Sequence, residues 1–464
     1  MTEHPAVVQA MTDVYTAWMD LGIDGFRIDT AKHVNFEFWE EWTAAIDEHA
    51  AATNPDFFTF GEVYDADARL TSPYVRDTDM SSVLDFAYQA AALNFAKGFT
   101  TTGLSGLFAS DDHYTTPHSS ADALPTFLGN HDMGRVGNLL QGTGNELERS
   151  ELAHSLMYLT RGQPVVYYGD EQGFVGLGND KSARQDMFAS QTQEYVDQPL
   201  LDGTTFGTGD HLDTGAGLYG HIAALADLRD AHPALDSGAQ IELHATDGPG
   251  VYAFARVDRG EKVEHLVGVN NAATAQTATF ATLTPGATYA PLHGTDEPTT
   301  ADAAGQVTLT VPALTAVVLE ADRTVGAPEE AGPVTLTPAP GAEVEGVAPV
   351  SADIADDVWA ETTFSYRPVG EQDWTLLGTA EDDTPRVFHD TEGLPAGSLV
   401  EYRAVTVDAA GNRSAASTFG SVGVDVSGDP AEEPVGGDLV TVPGSHTPPW
   451  AAPATGSPTV PQPR

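Results

Sequence analysis

The 464-residue chain contains no cysteine, so it has no disulfide, no thiolate metal site and no cysteine nucleophile, and thiol usage does not reveal its redox compartment. Basic residues are scarce. Twenty Lys plus Arg stand against 68 Asp plus Glu, a formal net charge of −48, and only four are lysines: Lys32, Lys97, Lys181 and Lys262. A phosphate backbone or an anionic lipid surface repels such a chain, so neither nucleic acid nor a membrane is expected among its partners. No apolar run approaches the roughly 18 residues that span a bilayer. The first residues, MTEHPAVVQAM, lack both a basic n-region and an apolar h-region, so neither a leader nor an anchor is expected there. The G-x-S-x-G elbow of serine hydrolases is missing too. Fifteen histidines are scattered without metal-ligand spacing, which places most of them at the surface. Gly176-Leu177-Gly178 is a lone glycine-rich stretch and reads as a turn.

What is present can fold. Hydrophobic residues make up 41% of the chain and aromatics 8%, enough for several cores, and the length suits one large domain with one or two small ones. Over residues 7–20 the apolar side chains Val7, Met11, Val14, Tyr15 and Met19 recur at helical spacing. Five short apolar segments follow, at about 23–29, 57–62, 82–86, 124–128 and 164–168, with helical patterns at 36–49, 87–97, 147–160 and 218–231. This alternation, with polar residues closing the strands, predicts parallel β/α units: the later strands of a partial (β/α)8 TIM barrel over residues 1–233. Short β-rich runs then predict an antiparallel β domain over 234–325. Beyond a Pro- and Gly-rich linker, 333–427 reads as an immunoglobulin- or fibronectin-like β module. Trp359 and Trp374 are expected in its core. The Gly-, Pro- and Thr-rich stretch 428–464 is expected to be a disordered tail.

Working residues of a β/α barrel sit at the C-terminal ends of its strands. Asp29 closes the first segment, Glu62 the second, and Asp132 follows the fourth in Asn130-His131-Asp132. Two carboxyl groups facing one site can act as nucleophile and general acid/base on a glycosidic bond, and a third can support the positive charge that develops on the sugar. Arg27 lies two positions before Asp29, on the same face of the strand, where its cation favours an ionised Asp29. Glu62 needs its proton, and apolar surroundings beside another carboxylate favour that form. Taken alone, Arg27 and Asp29 read equally well as a structural ion pair. Lys32 alone reads as a solvated charge, and Asp170 and Glu171 as a helix cap or rim.

The three segments together resemble a family. Gly25-Phe26-Arg27-Ile28-Asp29-Thr30-Ala31-Lys32-His33, Phe60-Gly61-Glu62-Val63 and Phe127-Leu128-Gly129-Asn130-His131-Asp132 resemble, in order, the second, third and fourth conserved regions of the α-amylase family of retaining glycoside hydrolases. Residues 164–171 resemble the last barrel strand of that family. The family's first conserved region has no counterpart before Leu21. The resemblance implies catalytic roles for Asp29 (nucleophile), Glu62 (general acid/base) and Asp132 (transition-state stabiliser). It implies substrate contacts at Arg27, Lys32, His33 and His131, and calcium ligated by the His33 backbone carbonyl. The activity it implies is hydrolysis of α-1,4-glucosidic bonds in starch or maltodextrin, by a monomer acting outside the cell, with the Asp29 and Glu62 carboxyl groups about 5–6 Å apart. An α-glucosidase or transglycosylase of the same superfamily, or a catalytically silent carbohydrate-binding remnant, remain the other readings.

Overall fold

The computed structural model describes residues 2–178, 180–354, 359–381 and 384–427. Five short strands carry the first unit: β1 (Gly25–Ile28), β2 (Phe58–Gly61), β3 (Ser82–Val83), β4 (Pro125–Phe127) and β5 (Gln163–Val165). β1, β2 and β3 form one parallel sheet, and β4 and β5 a second parallel pair. A backbone bond from Asp85 N–H to the Pro125 carbonyl oxygen, 3.1 Å, links the two into one arc. Each strand is shorter than the apolar run that announces it, because the polar end of the run leaves the ladder and turns into the loop. The stretch 164–168 shows this best: pairing stops at Val165, so Tyr167 and Tyr168 lie in the following loop.

Five long helices alternate with or follow these strands: α1 (Pro5–Met19), α2 (Phe36–Thr53), α3 (Phe86–Ala96), α4 (Glu146–Leu159) and α5 (Gly217–Ala231). α1 docks on α2 and β1 through Val8, Tyr15 and Met19, with the Tyr15 ring edge-on to Phe26 at 5.0 Å and to Trp42 at 5.4 Å. Its apolar residues therefore split into two faces. Val7, Met11, Val14 and Trp18 form an exposed stripe where a single buried face was expected.

Beyond α5, an antiparallel six-stranded sheet runs in the order Thr299–Thr300, Thr288–His293, Thr315–Thr324, Val263–Asn270, Val251–Val257, Ala239–His244, with a two-stranded ribbon, Gln276–Ala281 and Gln306–Val311, packed beside it. One core joins this sheet to the first unit. Leu93, Leu152, Leu156 and Leu225 pack with Tyr252, Phe254 and Val267. The third unit has a three-stranded and a five-stranded sheet around Val350, Phe364, Val387 and Tyr402. Trp359 is buried, as expected, with the Lys262 ammonium 4.2 Å from its ring centre. Trp374 is not in the core: it is partly exposed, with the Arg367 and Arg403 guanidiniums 4.4 and 5.8 Å from its ring centre. The tail expected over 428–464 lies outside the described residues.

Arg161 ties the arc together from within. Its buried guanidinium donates to Asp85 at 2.6 Å and to both oxygens of Asp111 at 2.6 and 2.7 Å. Asp85 also caps α3, accepting from Tyr88 N–H at 2.8 Å. Removing one partner of a buried pair leaves an uncompensated charge, so Asp85→Ala is expected to lower the unfolding free energy by about 3–5 kcal/mol. Asp85→Asn keeps a capping oxygen and should cost about 1 kcal/mol less. Urea titration measures both; a loss below about 1 kcal/mol for both variants would contradict this role of the pair.

Candidate active site

The candidate site is assembled at the C-terminal ends of β1, β2 and β4. Asp29 follows directly on β1, and Thr30 then takes a left-handed conformation, φ 52°, which a β-branched residue adopts only under strain. That turn aims the Thr30 N–H at Glu62, whose Oε2 accepts it at 3.1 Å. Arg27 points to the same place, as the strand's two-residue period requires. One guanidinium nitrogen lies 3.0 Å from Asp29 Oδ1 and the other 3.4 Å from Glu62 Oε1. β2 can bring Glu62 this close because Gly61 carries no side chain: a Cβ there would meet Met80 Sδ at 2.8 Å and the Ala31 methyl at 3.1 Å.

The Asp29 carboxyl is held below the ordinary carboxylate range. The largest cause is hydrogen bonding with Glu62; burial, next in size, opposes it, and Arg27, by hydrogen bond and by charge, and the nearby His131 add to the lowering. The shared guanidinium draws both carboxyl groups toward one cation. Their exposures differ sharply: the Asp29 side chain is 68% exposed and that of Glu62 14%. Glu62 is the sheltered partner, and Asp29 faces solvent.

Asp132 is placed by a tight loop. Asn130 and Gly134 exchange backbone hydrogen bonds at 3.1 Å, while Asn130 Oδ1 accepts from the N–H groups of Asp132 and Met133 at 2.9 and 2.8 Å. A Cβ on Gly129 would lie 2.4 Å from the Gly134 carbonyl oxygen, so glycine is needed for this approach. His131 Nε2 lies 3.1 Å from Asp132 Oδ2, and Arg184 donates to Oδ1 at 2.9 Å. Lys32 does not stand free: its ammonium donates to the Tyr64 carbonyl oxygen at 2.8 Å and lies 3.3 Å from Asp65. His33 is exposed at the end of a short 3-10 turn, Ala31–His33. Among the described residues no group of three carboxylate or imidazole ligand atoms surrounds it. Calcium takes six to eight oxygens, of which the His33 backbone carbonyl would supply one.

Two arginines escaped the sequence reading. Arg184 sits in a polar loop without a motif, and nothing in its neighbours marks it. Arg135 had a detectable signal, three positions after Asp132. It is fully buried, donates to Gln185 at 2.9 Å and Asp170 at 3.0 Å, and lies 4.6–5.0 Å from the ring centres of Tyr167, Tyr168 and Phe174. It fastens the Asp132 loop to the loop after β5. Asp170 is therefore half of a buried ion pair where a helix cap or rim residue was expected, while Glu171 accepts from Gly169 N–H at 2.7 Å.

Burial pushes the Asp170 carboxyl up to about 7, against the pull of Arg135. Without Arg135 it would rise further, so Asp170 would stay neutral in acid and be an unpaired buried charge only at higher pH. Arg135→Met is therefore expected to cost about 3–5 kcal/mol at pH 8 and clearly less at pH 5. Denaturant titration at the two pH values measures this, and an equal loss at both would contradict it.

The comparisons with known proteins bear on the family. The family model "Alpha amylase, catalytic domain" matches residues 1–238. An α-amylase of Streptomyces lividans is 45% identical over 421 residues, covering 88% of this chain and 46% of that protein. A cyclomaltodextrinase of Geobacillus thermopakistaniensis is 28% identical over 277 residues, 59% of this chain and 41% of its own. An Anoxybacillus α-amylase crystal structure superimposes with a TM-score of 0.57 at 25% identity, covering 70% of this chain and 65% of that one. The chain thus spans about half the length of the curated relatives it matches.

Proposed function

The chain belongs to the α-amylase family, and from that premise we propose that it hydrolyses α-1,4-glucosidic bonds of starch or maltodextrin with retention of configuration. The observation that carries the reading is the single Arg27 guanidinium holding an ionised, solvent-facing Asp29 and a sheltered Glu62 together. Glu62 donates its proton to the glycosidic oxygen as the bond from that oxygen to the anomeric carbon breaks. Asp29 attacks the same carbon and forms a covalent ester. Water then displaces Asp29, giving its proton to Glu62, and both carboxyl groups return to their starting states. Asp132 supports the positive charge that develops on the ring in the transition state of each step. His131 and Lys32 donate to sugar hydroxyls on either side, and His33 lines the same end.

Arg27 can keep its hold on Asp29 while a sugar ring enters the site. Because a glucan polymer does not cross a membrane, we place the reaction outside the cell. Residues 333–427, two packed sheets with a long antiparallel pair ending at the Asp408–Arg413 turn, suit an immunoglobulin- or fibronectin-like module.

The roles separate on a substrate whose leaving group needs no proton. Glu62→Gln is expected to slow maltodextrin cleavage about 10²–10⁴-fold while leaving the first release of fluoride from α-maltosyl fluoride, the step that forms the ester, much less affected. Asp29→Asn should lose both. Single-turnover rates on the two substrates decide the matter. A Glu62→Gln variant equally crippled on the fluoride, or an Asp29→Asn variant that still turns it over, would contradict the assignment. Cyclic or lengthened products from maltodextrin would contradict hydrolysis and indicate transfer to sugar.

A further inference from the structure

We propose that His232, His265 and Glu320 form a binding site for one borderline transition-metal ion of the Zn2+ class, which clamps the end of α5 to the six-stranded sheet. The three ligands come from separate parts of the chain. His232 ends α5 and precedes the short helix Pro233–Ser237. His265 and Glu320 stand directly opposite each other on the antiparallel strands Val263–Asn270 and Thr315–Thr324. With the first pair 33 positions apart and the second 55, linear spacing hides the cluster. The histidines expected to be scattered are here brought together.

Distances already suit a metal. His265 Nε2 lies 3.1 Å from His232 Nδ1 and 3.6 Å from a Glu320 oxygen, and all three ligand atoms fall within 4.8 Å of one another. Tetrahedral zinc with bonds of about 2.0–2.1 Å to nitrogen holds neighbouring ligands about 3.3 Å apart. Two nitrogens and one carboxylate leave a fourth position for water, and they are the wrong donors for Ca2+, which needs six to eight oxygens. Access and anchoring are both provided. His265 is fixed in the sheet with its side chain 5% exposed, while Glu320 is 37% exposed and His232 half-buried, so an ion can enter from solvent. Arg256, the cross-strand neighbour of His265 on its other side, is a nearby cation. Its guanidinium is engaged by the carbonyl oxygens of Ala234 and Gly238 at 3.1 and 3.0 Å.

The competing arrangement is a plain hydrogen bond between two neutral imidazoles, and spectroscopy separates the two. The full chain, freed of metals with a chelator, is titrated with Zn2+ by calorimetry and with Co2+ by visible absorption. We expect one saturable equivalent, the intense bands of tetrahedral Co2+, and a rise in melting temperature with Zn2+. His232→Gln and Glu320→Gln, both at partly exposed positions, should each weaken Zn2+ binding at least about tenfold, with unchanged circular dichroism. They should also abolish the rise in melting temperature. The absence of a saturable equivalent, weak octahedral Co2+ bands, or an affinity unchanged in both variants would overturn the proposal.

Discussion

The site depends on one cation serving two acids. Arg27 stands between Asp29 and Glu62, and its charge makes it tolerable for two carboxyl groups to lie beside one cation. Without it, two neighbouring carboxylates would repel, or both would take up protons, and either outcome removes the difference in proton affinity on which acid and nucleophile depend. The backbone around them is arranged to the same end. The strained turn at Thr30 gives its N–H to Glu62, and Gly61 leaves the room that lets Glu62 sit low against β1.

The remainder of the first unit holds three loops still relative to that pair, using buried arginines to do so. Arg135 grips the Asp132 loop and the loop after β5, and Arg161 joins the start of α3 to Asp111. Arg229 donates to the carbonyl oxygens of Tyr158 and Gly162, binding α5 to the end of α4 and the start of β5. In a chain with few basic residues and a large excess of acids, several arginines are spent on interior positions, each surrounded by oxygens. The six-stranded sheet shares the leucine core of α3, α4 and α5, so the β domain supports the helices that carry the strands.

Sequence periodicity showed the order and type of these elements because parallel β/α units write themselves as short apolar runs followed by amphipathic helices. The acids at the strand ends were legible from three ordered motifs. Other features were not, for physical reasons. α1 carries apolar residues around more than half of its circumference, so its pattern could not tell which side meets α2; Tyr15, through its ring contacts, decides it. Arg184 reaches Asp132 across 52 residues, and a contact of that kind leaves no trace in local pattern. Trp374 looked like a core residue because tryptophans in β sandwiches usually are, but two arginines flank its ring near the surface. The separation of Asp29 and Glu62 was inferred from the reaction; that one arginine holds both carboxyl groups is what the structure adds.

The most direct measurement of the account is the identity of the residue that becomes glycosylated. Glu62→Gln enzyme mixed with α-maltosyl fluoride, quenched in acid and digested, should yield a peptide containing Asp29 heavier by one maltosyl group, because the nucleophile acts while water lacks its base. A maltosyl group on the peptide containing Asp132, or turnover to β-maltose with no adduct at all, would contradict it.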